Sequence, residues 1–367
     1  MLKKTTLFAV LVLSAFACTQ KSEVPKVDFK VDYEKFTLDN GLDVILHVDK
    51  SAPVVAVALT AHVGSAREVE GRTGFAHLFE HLLFLESENL GKGGLDKMSA
   101  RIGGSGANGS TSRDRTNYFQ TVPNDALEKM IWAEADKLGW FINTVTDPVL
   151  AKEKQVVKNE NLYPEDHPYN WQVIGSLEDL QNATLQDVKD FFNRWYVPNN
   201  VTLTIAGDFD PEQAKAWVKK YFDEIPAGEP VKPLSPRSGK VAVTKKLYHE
   251  DNFARVPALT LTWPTVEQYS ADAYALDVLS NYLSRGKSAP LNQVLVENKK
   301  LTSGVGMFNS TSELAGQLQI SVRAFADKDL DEVLTAIEEG LVKFEKEGIS
   351  QKDLERIKAG QETGFYN

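Results

Sequence analysis

The chain has 367 residues, of which 42% are hydrophobic and 25% are charged. That profile is typical of a soluble globular protein, and the length allows two ordinary domains with proper cores. The formal net charge is −10, so we expect no nucleic-acid partner, because an acidic protein has little with which to neutralise phosphates.

The chain begins with the pattern of a secretory signal peptide. Lys3 and Lys4 precede an apolar run at 7–13, and small residues follow it. The run is too short to span a membrane as a helix. We therefore expect secretion across an inner membrane into the periplasm.

Cys18, the only cysteine in the chain, ends this signal. Residues 15–18, A-F-A-C, resemble a bacterial lipoprotein box, in which the cysteine is lipidated and becomes the first residue of the mature protein. An ordinary A-x-A cleavage site is the alternative. Thr19 after the cysteine favours an anchor in the outer membrane, and the polar residues 19–27 would form a short tether.

Strands and helices alternate after the tether. A pair of strands opens the fold after the turn at Asn40-Gly41, and a buried helix follows. In chain order we predict strands at 42–48 and 54–63, a helix at 73–88, a glycine-rich loop or edge at 103–108, a strand at 116–122, a helix starting at 123–125, helices at 148–163 and 187–195, a strand at 201–205 and a helix starting at Pro211.

Residues 225–239 contain four prolines and are predicted to form a linker. The pattern then starts again, as a weak internal repeat of roughly 200 residues without a second metal motif. This second copy is shorter than the first, so we expect the chain to be a fragment of a longer one. Its predicted elements are a strand at 256–263, a helix at 270–283, a strand at 317–322, a helix at 329–346 and a final helix from Ser350 that Asp353 helps to cap.

The motif that carries chemistry is H-x-x-E-H, formed by His77, Glu80 and His81. Residues i, i+3 and i+4 lie on one face of a helix, so both imidazoles can reach one zinc ion with the carboxylate beside it. A catalytic zinc takes three protein ligands and leaves one position open, and a nearby carboxylate can accept a proton from water. The spacing is that of the inverted-motif metallopeptidases. Two core histidines would be the simpler explanation, but an unpaired glutamate among Leu and Phe residues would be costly to bury.

Spacing alone leaves the third ligand open. Glu153 and Glu160 are seven residues apart on the predicted helix 148–163 and share a face, but such carboxylates are often merely solvated. Asp166 and His167 are rivals on this evidence. A purely structural zinc is not expected, because structural sites favour four ligands with cysteines.

These motifs resemble the pitrilysin and insulinase family of zinc metallopeptidases, which includes the mitochondrial processing peptidase. The resemblance covers nearly all of the mature chain and is carried by residues 38–42, 64–65 and 74–81. It implies one Zn²⁺ per chain, with Glu160 as the third ligand and Glu153 orienting the site. It also implies an α+β fold of duplicated α/β domains, each with an antiparallel-rich sheet covered by helices, that together form one half of a clamshell.

The resemblance completes the expected domain organisation. We expect a signal peptide with lipobox at 1–18, a tether at 19–27, a catalytic zinc-binding domain at 28–224, the linker at 225–239 and a second, apparently truncated homologous domain at 240–367.

Residues 108–118 resemble the family's strand motif, in which Asn precedes a small residue and Thr, Asp, Thr and Tyr follow. The resemblance implies that Asn108, Gly109, Ser110 and Thr111 form a strand edge to which an extended peptide substrate adds. Gly109 stands where the family usually has Ala.

Together these features predict a zinc-dependent endopeptidase that hydrolyses unfolded peptides or short proteins, with Glu80 activating water. A catalytically silent structural subunit is the alternative, since the family contains such members, but the complete set of four site residues argues against it. In the family an Arg and a Tyr that stabilise the transition state come from the second clamshell half, in cis or from a partner subunit. Arg285 and Tyr282 cannot be assigned to that role from the sequence.

Overall fold

The computed structural model describes residues 30–145, 163, 166–250 and 254–365. The chain divides into two units, 1–33 and 34–367, and the described part of the first, residues 30–33, contains no helix or strand. The predicted signal peptide, Cys18, the tether, Glu153 and Glu160 lie outside the described residues. Within the described part of the chain, no helix combines the length and the apolar composition that a bilayer crossing requires.

The first half of the larger unit is built on a six-stranded sheet. Its strands are β1 (Glu34–Thr37), β2 (Asp43–Val48), β3 (Val54–Ala61), β4 (Ser105–Thr111), β5 (Thr116–Pro123) and β6 (Val201–Gly207). Their order is β1-β2-β6-β3-β5-β4, and β2 with β6 is the one parallel pair among them. Buried residues alternate along β3 and β5, as expected for strands with one face on the core.

Helices cover this sheet and close its core. They are α1 (Phe75–Leu85), α2 (Gly94–Ile102), α3 (Leu127–Trp140), α4 (Leu177–Asn182), α5 (Leu185–Trp195) and α6 (Pro211–Phe222). Thr184 and Asp187 form a capping box at the start of α5, which satisfies backbone N–H groups that the helix leaves open. The core includes Phe79 of α1 and Tyr118 of β5, so the helix that carries the metal motif is packed directly on the sheet.

The second half has a smaller sheet of three antiparallel strands. These are β7 (Ala258–Thr265), β8 (Thr302–Thr311) and β9 (Gly316–Ala324), in the order β7-β9-β8. The helices are α7 (Ala271–Ser284), α8 (Leu330–Glu347) and α9 (Gln351–Phe365), with a short turn Pro290–Asn292 that continues into the π-helical segment Gln293–Asn298. This half has its own core, around Leu295, Ile320 and Ile337.

The second half repeats the order of elements in the first. The series β7, α7, β8, β9, α8 follows the same pattern of strand, helix, hairpin and helix as β3, α1, β4, β5, α3. Both hairpins carry a register shift near the start of their first strand. The two hairpin turns also share one bond, from Ser112 N to Arg115 O and from Ser312 N to Ala315 O. The predicted α+β fold with duplicated halves and antiparallel-rich sheets is therefore confirmed.

The domain boundaries stay a prediction, although residues 226–250 contain no helix or strand. The prediction that strands 42–48 and 54–63 form a pair is wrong, because β6 lies between β2 and β3 and bonds to both. Hydrophobic alternation identifies strands without identifying their partners. The sequence patterns also missed β1, α2, α4 and β8.

Candidate metal centre

Glu68 binds the backbone at the start of α1, the helix that carries the H-x-x-E-H motif. Its Oε2 accepts a hydrogen bond from Gly74 N at 2.8 Å, and its Oε1 accepts one from Ala76 N at 2.9 Å. Gly74 has a φ of +91°, a conformation that favours glycine, and the helix starts at the next residue. The side chain of Glu68 is buried, and this burial raises its pKa to about 8. The buried carboxyl group of Glu68 thus holds the first turn of α1, which carries His77, in place.

The H-x-x-E-H residues lie together on the less buried side of α1. Phe75, Leu78, Phe79, Leu82 and Leu83 form its buried side. His77 and Glu80 are half-buried and His81 is exposed. The helical spacing therefore presents the two imidazoles and the carboxylate on one face, as the sequence predicted.

The two histidines converge on one point. His77 Nε2 and His81 Nε2 are 3.2 Å apart, and the rings meet nearly edge to face, with their planes at 77°. Two nitrogens that each lie about 2.0–2.1 Å from a tetrahedral zinc ion are about 3.3 Å apart. The donor set and its spacing therefore fit two ligands of a single zinc ion.

The structure identifies no third ligand among the residues that it describes. Within the described ranges, no three His, Cys, Asp or Glu side chains form a group that could hold a metal ion. Glu160, the predicted third ligand, and Glu153, its predicted support, fall in the undescribed range 146–162, so their roles stay predictions.

Asp166 and His167, the alternative third ligands, bind other residues in the structure. His167 is fully buried, its Nδ1 accepts a hydrogen bond from Tyr169 N at 3.0 Å, and its Nε2 donates one to Arg237 O at 2.5 Å. Because both ring nitrogens are occupied, His167 is not available as a ligand in this arrangement. Burial also lowers its pKa, which favours the neutral ring that these bonds require. Asp166 forms an ion pair with Arg237 at 3.0 Å.

Glu80 is held from the neighbouring strand. Its Oε2 accepts a hydrogen bond from the Thr111 hydroxyl at 2.5 Å. Gly109 lies on the same side of β4, and a Cβ atom added there would be 3.0 Å from Glu80 Cγ and 3.1 Å from Phe84 Cε2. The spacing of the metal motif gave no sign of these contacts, because they join residues about thirty positions apart.

β4 is the outer strand of the six-stranded sheet, as predicted for a glycine-rich edge. Gly109 lies opposite Tyr118, and Thr111 lies opposite Thr116. The side-chain Oδ1 of Asn108 accepts a hydrogen bond from Gly109 N at 2.9 Å. Asn108 thus covers one backbone donor of this edge.

Buried side chains of the core also contact α1, the helix that carries the site. The Tyr118 hydroxyl donates to Phe79 O at 3.0 Å, and burial raises the pKa of this hydroxyl well above its ordinary value. The ammonium group of Lys137 lies over the Tyr118 ring, 5.2 Å from its centre, and pairs with Glu134 at 2.7 Å. A buried ion pair therefore lies against the Tyr118 ring and, through Lys137, also near the ring of Phe84 in the last turn of α1.

Asp114 joins the hairpin of the first half to the second half. Its Oδ1 accepts a hydrogen bond from the Tyr169 hydroxyl at 2.5 Å, and its Oδ2 accepts one from Glu313 N at 2.9 Å. Leu314 N donates to the same Tyr169 hydroxyl at 2.8 Å. The turns of the two repeated hairpins are therefore linked by a chain of hydrogen bonds, which the sequence did not indicate.

Tyr282 and Arg285 lie at the carboxyl end of α7 in the second half. The Tyr282 hydroxyl donates to Gly348 O at 3.0 Å, and its ring packs on Phe344. Arg285 caps α7 through its backbone N–H. The Tyr282 side chain therefore has a structural role, whereas the Arg285 side chain is exposed.

The family models and the relatives that match this chain all belong to one family. Residues 43–163 match the family model described as "Insulinase (Peptidase family M16)", and residues 182–361 match the one described as "Peptidase M16 inactive domain". The chain is 30% identical to the zinc protease PqqE of Helicobacter pylori over 365 residues, which covers 91% of this chain and 80% of that protein.

Solved structures have the same fold. A crystal structure of a protease from Helicobacter pylori matches with a TM-score of 0.77 and 28% identity, covering 92% of this chain and 86% of the other. The periplasmic protease PqqL from Escherichia coli matches with a TM-score of 0.69 and 20% identity, covering 92% of this chain but 40% of the longer protein.

Proposed function

Because the chain belongs to the insulinase family of peptidases (family M16), we propose that it is a zinc-dependent endopeptidase with Glu80 as its general base. The observation that carries this proposal is the pair of imidazole nitrogens 3.2 Å apart, with the Glu80 carboxylate on the same helical face. That arrangement suits one zinc ion and one adjacent proton acceptor.

In this proposal His77, His81 and Glu160 hold one zinc ion per chain, and Glu153 orients the ligands. The bound metal supplies Lewis-acid activation of water and of the scissile carbonyl. Glu80 accepts the proton of the attacking water and passes it to the leaving nitrogen. Thr111 occupies Oε2 of Glu80, so Oε1 is the oxygen that is better placed to exchange this proton.

The substrate in this proposal is an extended segment of an unfolded peptide or short protein. It adds to β4 along Asn108, Gly109, Ser110 and Thr111 by backbone hydrogen bonds, which an outer strand can offer. The Asn108 side chain would leave Gly109 N as the substrate strand arrives, because both compete for the same donor. An edge that is covered in this way is also protected from chance pairing.

A second clamshell half is part of the proposal. The match to PqqL covers 40% of that longer protein, and the rest of PqqL is long enough to contain a second half. We place the Arg and Tyr that stabilise the transition state in such a half, supplied in cis or by a partner subunit.

The proposed location is the periplasm, with Cys18 as a lipid anchor to the outer membrane. The similar protein PqqL is described as periplasmic. An ordinary A-x-A signal would give the same export without the anchor, and a mass measurement of the mature amino terminus in a membrane fraction distinguishes the two.

A silent structural subunit is the second candidate function. The family model described as "Peptidase M16 inactive domain" is consistent with this candidate. That model matches residues 182–361, however, and the H-x-x-E-H helix lies outside this range. The residues expected to carry catalysis are intact in the other half of the chain. A silent subunit has no physical need for a carboxylate held beside two converging imidazoles.

The deciding experiment measures metal content and cleavage of a quenched fluorescent peptide mixture, for the chain after Cys18 and for Glu80→Gln. One zinc per chain in both proteins, with cleavage by the unmutated protein alone, supports the endopeptidase. Zinc in both without cleavage in either would favour the silent subunit or a missing second half, and adding a longer relative's second half separates those two. Absence of zinc from both proteins would overturn the metal assignment.

A further inference from the structure

We propose that Thr111 is a positioning residue, whose hydroxyl holds the Glu80 carboxylate in place for proton transfer. This inference rests on the proposed function and changes the role of Thr111, since its side chain points at the enzyme's own carboxylate. The substrate then contacts this residue through its backbone.

The first observation is the hydrogen bond itself. Thr111 Oγ1 and Glu80 Oε2 are 2.5 Å apart, and both side chains are half-buried. Hydrogen bonds between a hydroxyl and a carboxylate are short and roughly twice as strong as those between neutral groups. A glutamate side chain has several rotatable bonds, so a single strong contact at its tip removes much of its freedom.

The second observation is independent and concerns the stem of the same side chain. Gly109 and Thr111 are two residues apart on β4 and therefore face the same side of the strand. The absence of a side chain at Gly109 lets the strand backbone lie against Glu80 Cγ, where a Cβ would be only 3.0 Å away. β4 thus contacts Glu80 twice, once at the stem and once at the carboxylate.

The two carboxylate oxygens of Glu80 therefore have different roles. Oε2 is bound by Thr111, which leaves Oε1 as the proton acceptor. A general base acts within hydrogen-bond reach of the proton it removes, and a displacement of about 1 Å can cost on the order of a hundredfold in rate. Thr111 acts through Glu80 and need not touch the substrate with its side chain.

The test compares Thr111→Val, which keeps the shape but lacks the hydroxyl, with Thr111→Ser, which keeps the hydroxyl. Thr121→Val is the control, because Thr121 is likewise half-buried and lies on β5 opposite Ser105, at the other end of β4 from Thr111. We expect Thr111→Val to lower kcat by about ten- to a hundredfold, with KM and zinc content nearly unchanged. We expect Thr111→Ser to recover most of the loss, and Thr121→Val to keep kcat within about threefold. A rise in KM at unchanged kcat would instead make Thr111 a substrate-binding residue and overturn the proposal.

A second measurement does not depend on cleavage. In a double-mutant cycle of urea unfolding with Thr111→Val and Glu80→Ala, we expect the two sites to be coupled by about tenfold in the unfolding equilibrium constant. Additive effects would show that the two side chains do not interact and would overturn the inference. If the coupling is present while the unmutated protein cleaves nothing even after a second half is added, the positioning contact stands and the proposed function fails.

Discussion

The Tyr118 hydroxyl donates a hydrogen bond to Phe79 O at 3.0 Å, which ties β5 to the residue of α1 that precedes Glu80. Tyr118 is fully buried, and its hydroxyl also meets that of Tyr196 at 3.2 Å. The backbone of α1 is therefore anchored to the sheet from inside the core, while Thr111 of the outer strand β4 contacts the Glu80 side chain.

Tyr118→Phe tests the inner anchor. It removes one hydroxyl from a buried pair and leaves Tyr196 with one partner fewer, so we expect a loss of about 1–2 kcal/mol in the free energy of unfolding. Urea unfolding measures this loss. Phe119→Leu is the control, because Phe119 is the next residue on β5 and is exposed. Equal stabilities of Tyr118→Phe and the unmutated protein would contradict the anchor.

Gly109→Ala tests the close approach of β4 to α1. The added methyl group would be 3.0 Å from Glu80 Cγ and 3.1 Å from Asn117 O, so the strand or the glutamate must shift. The crowding, worth about 1–3 kcal/mol, is partly offset because Glu80 has a flexible side chain and because alanine stiffens the unfolded chain by about 0.4–1 kcal/mol. We therefore expect the free energy of unfolding to fall by about 1 kcal/mol or less, and kcat to fall because the Glu80 carboxylate is displaced.

Gly306→Ala is the matched control for that change. Gly306 follows the register shift of the second hairpin as Gly109 follows that of the first, and its nearest neighbour, Ser321 O, is 3.8 Å from the added atom. A similar response of both variants would mean that a glycine-to-alanine change in a hairpin strand, rather than contact with Glu80, causes the effect.

Glu68 should make stability depend on pH. Burial raises its pKa from the ordinary 4.5 to about 8, so the folded protein keeps this proton where the unfolded chain has lost it. The resulting stabilisation is complete below about pH 4.5 and is lost as the pH rises through about 8, with a slope approaching 1.4 kcal/mol per pH unit between these values. The difference in urea midpoint between the unmutated protein and Glu68→Gln, followed from pH 5 to pH 8, isolates this group. A difference that does not vary with pH would refute the protonated carboxyl group.

His167 should change the stability with pH in the opposite direction from Glu68. Burial lowers its pKa, so the unfolded chain takes up a proton that the folded ring resists. Its stabilisation is complete above the ordinary pKa of about 6.5 and is lost as the pH falls through the lower value in the folded protein. A protonated ring could no longer accept the hydrogen bond from Tyr169 N. We expect His167→Gln to reduce the loss of stability between pH 7 and pH 5, as measured by urea unfolding, and an unchanged pH profile would contradict the neutral buried ring.

The sequence by itself determined those features that depend on the geometry of one element. The spacing of His77, Glu80 and His81 places them on one face of any α-helix, whatever surrounds it. Alternating apolar residues identified β3, β5 and β6, and the repeat near 200 residues identified the duplication, because both patterns are written in the order of the residues.

Only the tertiary structure decided which distant elements meet. The insertion of β6 between β2 and β3, the contact of Thr111 with Glu80 and the link from Asp114 to Glu313 each join segments that are far apart in the chain. His167 shows the same limit, since its residue type suits a metal ligand and its burial between Tyr169 and Arg237 excludes that role. Such pairings depend on how sheets and helices pack in three dimensions, and local periodicity carries no record of that packing.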